Sequence, residues 1–215
     1  MLFFKKSLLF LVIVCALGFS LNPGTAGAAP VLKTGSSNGD VWDLQYRLKT
    51  LGYYTQDLDG SYGSSTQKAV RKFQQDYGIT PDGVAGEQTW KQIKRNSLNM
   101  NEMDILAKVI YSEARGEPYE GQVAVGAVVM NRIQSPQFPD TIEEVVFQPG
   151  AFTAVADGQY WLVPNRTAYL AALDAVRGWD PSGGSLYYFN PDTATSAWIW
   201  TRPQNLKIGR HIFAD

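Results

Sequence analysis

The chain is nearly devoid of cysteine and histidine. It has one of each in 215 residues, Cys15 and His211. A thiolate nucleophile needs a cysteine beyond the leader, and none is present, which excludes cysteine peptidase and cysteine transpeptidase chemistry. A catalytic zinc site usually takes at least two His among its ligands, so a zinc amidase is excluded as well, and no metal site or cofactor is expected. Ser-His-Asp catalysis would have to use His211, and no G-x-S-x-G elbow accompanies it. Charge of either sign is also not in excess. Nineteen Lys and Arg face twenty Asp and Glu, which gives no electrostatic footprint for nucleic acid or for a polybasic membrane contact. Long apolar runs are absent after residue 21.

The one apolar run, Leu8 to Leu21, follows Lys5 and Lys6 and precedes Ala26-Gly27-Ala28. This is the pattern of a secretory signal peptide spanning 1–28, with cleavage after Ala28. The run is too short for a comfortable membrane span, so an uncleaved anchor is the weaker alternative and no span is expected after signal removal. Cys15 lies inside it as a small hydrophobe. The exported chain then has no disulfide, and packing must hold it together.

Two units follow. Pro30 to Asp40 reads as a loose leader rich in Gly, Ser and Asn. Val41, Leu44, Leu48 and Leu51 fall on one helical face, with Asp40 as the cap and Gly52 as the stop. Asp59-Gly60-x-x-Gly63-x-x-Thr66 then recurs as Asp82-Gly83-x-x-Gly86-x-x-Thr89. Each copy reads as a turn entering a helix, with Asp and Ser/Thr bonding local N–H groups. Val70, Phe73 and Tyr77 make the helical stripe between the copies, and Trp90 and Ile93 anchor a third helix. The expected division is a three-helix unit over 29–95, a polar hinge over 96–101 and a second unit over 102–215.

The second unit opens with an apolar helix, Asp104 to Ile110, that delivers Glu113 just before Gly116 and Pro118 break it. A run from Val123 to Met130, apolar nearly all round, reads as a buried core helix. Thr141 and Asn165 are placed to cap two further helices, the second ending at Gly178. Leu186 to Phe189 and Lys207 to Phe213 read as short strands. The fold class is therefore α+β, mostly α.

Carboxylate chemistry is what survives. Glu143 and Glu144 are explained by capping and the helix dipole, Glu120 by opening its helix, and Asp174 by a solvated helix face. Glu113 follows a strongly apolar helix and meets a forced break. A carboxyl held against apolar groups resists ionising, and a Glu still protonated near neutral pH can serve as general acid on a glycosidic oxygen. Spacing alone leaves a purely structural Glu open. One decoy fails on order: Ser65-x-x-Lys68, Ser36-x-Asn38 and Lys33-Thr34-Gly35 mimic a penicillin-binding set, but reversed and without a large α/β scaffold.

With those residues in view, Pro30 to Lys94, with the duplicated D-G-x-x-G-x-x-T and Phe73-Gln74 between the copies, resembles the small peptidoglycan-binding domain of cell-wall enzymes. The string Tyr111-Ser112-Glu113-Ala114-Arg115-Gly116-Glu117 through Val125, then Val129-Met130-Asn131-Arg132, Phe152-Thr153-Ala154-Val155 and Ile208-Gly209-x-His211-x-Phe213, resembles the catalytic domain of spore cortex-lytic enzymes. The resemblance implies a lysozyme-like catalytic domain related to lytic transglycosylases, with the essential acid at Glu113. It implies cleavage of cortex peptidoglycan carrying muramic δ-lactam, between N-acetylmuramic acid and N-acetylglucosamine, during germination. It places the protein in the spore cortex or at the outer face of the inner spore membrane. Storage beside its own substrate makes an inhibitory or stabilising partner protein an expectation.

Three further residues are singled out for substrate binding. Thr153 is a polar contact near the acid, with an ordinary turn hydroxyl as the alternative. Tyr188 and Asn190 are picked for the groove wall, from a segment whose aromatics could stack on sugars or pack as core. His211 is expected to make a structural hydrogen bond, and Glu117 to pair with Arg115 or solvent. The second step stays open at this point. A second carboxylate roughly 5–9 Å away, Glu117 or Asp157, would give a hydrolytic muramidase; without one, the muramoyl C6 hydroxyl attacks and an anhydro sugar results. A non-catalytic wall-binding protein is the competing class.

Overall fold

The computed structural model describes residues 29–215, so the signal-peptide segment and Cys15 lie outside the described residues. The first unit is three helices: α1 (Gly39–Thr50), α2 (Ser64–Asp76) and α3 (Glu87–Asn96). Val41, Leu44, Leu48, Val70, Phe73 and Ile93 are fully buried between them. The cap of α1 is Asn38, not Asp40. Asn38 is extended, and its side-chain oxygen accepts from Val41 N at 3.0 Å, whereas Asp40 already lies in the first turn.

The repeat works through a residue that precedes each copy. Nε2 of Gln45 in α1 lies within hydrogen-bond distance of Asp59 Oδ1 (2.8 Å), Ser61 O (3.0 Å) and Thr66 Oγ1 (3.0 Å), which share its two N–H donors, and its Oε1 accepts from Gly60 N (3.0 Å). Gln74 of α2 repeats this on Asp82 Oδ1 (2.8 Å), Val84 O (3.0 Å), Thr89 Oγ1 (3.0 Å) and Gly83 N (2.9 Å). Both Gln side chains are buried, as are Thr66 and Thr89, so the bonds satisfy polar groups that folding takes out of water. The Asp residues bond local N–H groups as expected. The threonines do not; they face the glutamines, and α2 and α3 start at Gly63 and Gly86 with no side-chain cap.

Only Ser97 to Asn99 of the polar stretch lies outside helices, because α4 (Met100–Ala114) begins with a capping box between Asn99 and Glu102. Ser97 and Leu98 are buried, and Leu98 joins the core of the second unit. Arg47 of α1, 2% exposed, donates to Ser97 O (2.8 Å) and to Glu102 Oε2 (2.9 Å).

In the second unit α4, α5 (Tyr119–Gln134) and α8 (Arg166–Val176) pack on one another, with α6 (Ile142–Val146) and α7 (Thr153–Ala156) at one end. The all-round apolarity of α5 has a cause. One side meets α4 and α8; the other places Ala124 and Val128 on Phe213 of the sheet. At Gly126 an added Cβ would lie 2.8 Å from Ile110 Cδ1 and 3.1 Å from Ala175 Cβ, so its small size sets the helix approach. Asp174, expected to be solvated, accepts instead from the Tyr119 hydroxyl at 2.6 Å.

The sheet comprises β1 (Tyr187–Phe189), β2 (Gln204–Ile208) and β3 (His211–Ala214), antiparallel in the order β1-β3-β2. The expected strand over 207–213 is therefore a tight hairpin. Gly209 turns the chain at φ +57°, and any Cβ there would collide with the Glu117 carboxylate. With this sheet the protein has the α+β, mostly helical character expected of it.

Candidate active site

Glu113 is the penultimate residue of α4. The helix stops where Gly116 and Pro118 intervene, and Pro118 becomes the N-cap of α5. The carboxyl thus emerges between the end of α4, the start of α7 and strand β1. Its Oε1 accepts from Ala154 N (2.8 Å), and its Oε2 accepts from the Tyr188 hydroxyl (3.2 Å). Burial pushes its pKa above the ordinary carboxylate value. The Ala154 amide and the Tyr188 hydroxyl oppose this, the charge of Asp157 adds to it, and Arg132 subtracts.

Oxygen chemistry fixes the proton. A backbone amide can only donate, so Oε1 keeps its lone pairs and the acidic proton sits on Oε2. Tyr188 can donate to the carboxylate or accept from the acid, so one partner serves both protonation states.

Glu113 opens into a groove of about 730 Å³, whose lining includes Thr153, Tyr188 and Asn190. The four residues singled out from sequence are thus brought together, although two do different work from that expected. Thr153 stands at the groove, but the contact with the acid comes from the next residue's backbone, Ala154 N. Tyr188 meets the acid through its hydroxyl, and its ring packs on His211 at 5.1 Å. Asn190 Oδ1 accepts from Asp192 N (3.0 Å), and its carbonyl accepts from Ala194 N (2.9 Å), which shapes the 193–196 loop that also lines the groove. Trp198 is half exposed on the groove rim; Trp200 packs on Phe189 and does not line it.

Among the described residues Glu113 is the only carboxylate lining the groove. Glu117 turns away. It accepts from Arg210 Nε and Arg210 N, each at 2.9 Å, beneath the hairpin turn. The expected partner, Arg115, binds Gln159 instead. Asp157 is occupied by Gln159 N (3.0 Å) and Nε2 (2.8 Å) and reaches Glu113 only through its field. His211 does not make the hydrogen bond expected of it. Its Nδ1 is buried without a partner, because β3 directs the ring inward among Tyr188 and Phe213. No cluster of His, Cys, Asp and Glu among the described residues is placed to hold a metal ion.

Sequence reasoning assigned no role to Arg132. It is 6% exposed, donates from Nε to Leu186 O (2.8 Å), and lies against Phe138, Phe152 and Tyr187 at 5.1, 5.1 and 5.6 Å. A signal was available. A helix apolar on all sides has no solvent face, so an Arg one turn beyond Val128-Val129 must also point inward.

Two family models match the chain. The family model described as Cell Wall Hydrolase matches residues 116–214, and that of a putative peptidoglycan binding domain matches 37–93. A spore cortex-lytic enzyme of Bacillus cereus is 45% identical over 85% of this chain and 85% of its own length. One from Oceanobacillus iheyensis is 41% identical over 97% and 98%. The crystal structure of the catalytic domain of the Bacillus cereus SleB protein is 61% identical and covers 56% of this chain and 94% of its own, with a TM-score of 0.53. A Bacillus anthracis counterpart, described as a germination-specific lytic transglycosylase, covers 55% and 97% with the same score. Fold and site define an enzyme that cleaves glycosidic bonds in peptidoglycan. More narrowly, the chain belongs to the spore cortex-lytic enzyme family.

Proposed function

We propose that the protein cuts cortex glycan strands between N-acetylmuramic acid and N-acetylglucosamine by lytic transglycosylation, with Glu113 as the catalytic residue. The observation that carries this is a partly buried carboxyl, its pKa raised by desolvation, that is the only one lining its groove among the described residues. Glu113 Oε2–H protonates the oxygen leaving with the glucosamine. The bond from muramoyl C1 breaks through an oxocarbenium-like state. The C6 hydroxyl then attacks C1, and Glu113, now a carboxylate, takes its proton. The product is a 1,6-anhydro sugar, and no water is consumed. The ionised Glu113 is held by Ala154 N–H and the Tyr188 hydroxyl, which lower the cost of the charge between the two transfers.

Within this reading residues 29–95 hold the wall and 102–215 cut it. Thr153, Tyr188 and Asn190 bind the strand, and muramic δ-lactam marks the cortex as substrate. Residues 1–28 direct export, and a partner protein restrains the enzyme in the dormant spore. No helix among the described residues is long and apolar enough to cross a membrane.

The test is digestion of purified cortex peptidoglycan by the wild type and Glu113→Gln, read by mass spectrometry. Anhydro ends from the wild type and no products from the variant are expected. Equal release by both refutes catalysis by Glu113, and reducing ends alone would make the reaction a hydrolysis.

A further inference from the structure

Arg132 has no partner that matches its charge. Its side chain is buried, yet it makes no salt bridge among the described residues. Only Nε is hydrogen-bonded, to the Leu186 carbonyl. A buried cation is costly without a counter-charge. Here three aromatic faces offset part of the cost and clamp the guanidinium plane. The outer Nη pair makes no hydrogen bond to the protein among the described residues, and it is not sealed from solvent, because the buried unpartnered side-chain atom there is His211 Nδ1 alone. Arg132 lines the groove that holds Glu113. Those two are the only charged side chains lining it among the described residues. With Glu113 protonated, the groove therefore carries one fixed positive charge, whose two Nη groups are left without a protein acceptor among the described residues.

We propose that Arg132 is a specificity-determining residue that binds a carboxylate carried on the glycan strand beside the bond Glu113 protonates. The Nη pair matches the two oxygens of a carboxylate, and among the described residues no protein carboxylate forms a salt bridge with it. Peptide side chains of a wall strand carry such groups; the neutral N-acetyl amides offer one oxygen and no charge. The inference rests on the proposed function of the same groove.

The test compares one peptidoglycan preparation with the same material after its carboxylates have been amidated with carbodiimide and glycinamide. Full-length wild type is expected to lose about ten-fold or more in kcat/KM on the amidated wall, mostly through KM, which corresponds to one charge-assisted bond. Arg132→Met is expected to cut both preparations at one similar, reduced rate, and Arg132→Lys to recover part of the preference for the untreated wall. If Arg132→Met misfolds, shown by a collapsed melting transition, the wild-type and Arg132→Lys comparisons still decide. Equal wild-type rates on the two walls would overturn the proposal. So would an Arg132→Met enzyme that keeps the wild-type preference. Glu113→Gln run on both walls separates the two readings. If it is inactive while amidation has no effect, the carboxylate contact fails and the catalytic reading stands; if it is active, the catalytic reading itself fails.

Discussion

The hydroxyl of Tyr188 offers a way to disturb the acid without moving it. Tyr188→Phe keeps a ring that packs on His211, Phe152 and Phe213, so stability should change little. It removes one oxygen, 3.2 Å from Glu113 Oε2. That length is beyond the usual O–H···O range, which places the loss at the bottom of the range for bonds to charged groups, about 1.5 kcal/mol or ten-fold in rate. The hydroxyl lowers the Glu113 pKa, so its removal raises that pKa further. General-acid action needs the protonated form, so activity falls as pH rises through this pKa, and in the variant the falling limb must move to higher pH. The plateau must drop at the same time, because the carboxylate that takes the C6 proton has lost a donor. The assay is initial rate of anhydro-muropeptide release from pH 4 to 9, with melting curves as a folding control. A limb that moves to lower pH, or an unchanged profile with an unchanged plateau, would refute the assigned contact.

Glu113→Gln should raise the melting temperature at pH 7: a carboxyl whose folded pKa lies above its unfolded value loses stability as pH rises between the two, so the gain should vanish below the ordinary carboxylate range. Glu117→Gln should do the opposite. Burial opposes ionisation there, but the Arg210 amide and guanidinium prevail and hold the pKa below its ordinary value, so the wild type's advantage exists above the unfolded carboxylate pKa and is lost as pH falls through the folded one. Calorimetry across pH 3 to 7 checks both. Gly126→Val should cost about 1–3 kcal/mol by overpacking α5 against α4 and α8, read as a lower urea midpoint. Gln74→Ala strands the buried Gly83 N in the first unit; wall pelleting should weaken while cleavage of soluble glycan fragments persists, with about 1–3 kcal/mol lost for the unsatisfied group.

Much of the fold was legible because periodicity and turn chemistry act locally. Val41, Leu44 and Leu48 marked α1, and the apolar run 123–130 marked α5, since burial demands those spacings whatever lies opposite. Errors arose where a partner is remote in sequence. Asn38 and Asp40 are both good caps on paper, and only the backbone geometry chooses. The segment 207–213 has strand composition throughout; what folds it at Gly209 is Glu117, some ninety residues earlier, whose carboxylate occupies the space a Cβ would need. Gln45 and Gln74 are ordinary helix residues until the following turn closes on them.

The site shows the same division more sharply. Glu113 could be found because its signal is local, an acid at the broken end of an apolar helix. Its two partners come from 41 and 75 residues further along the chain; Tyr188 was singled out for the groove wall and not as a contact of the acid. The other, Ala154, contributes a backbone N–H, and a backbone group has no letter of its own in a sequence. Arg132 lay hidden for a different reason. A cation in the last turn of a helix is ordinarily explained by the dipole, and that explanation holds only where water can reach the side chain. Along α5 every face is covered, so the usual account fails at Arg132, and the charge must be answered by aromatic faces and by what enters the groove. An ordinary local reading that burial makes untenable is thus itself a signal for function, visible in sequence once the all-apolar helix beside it is taken at its word.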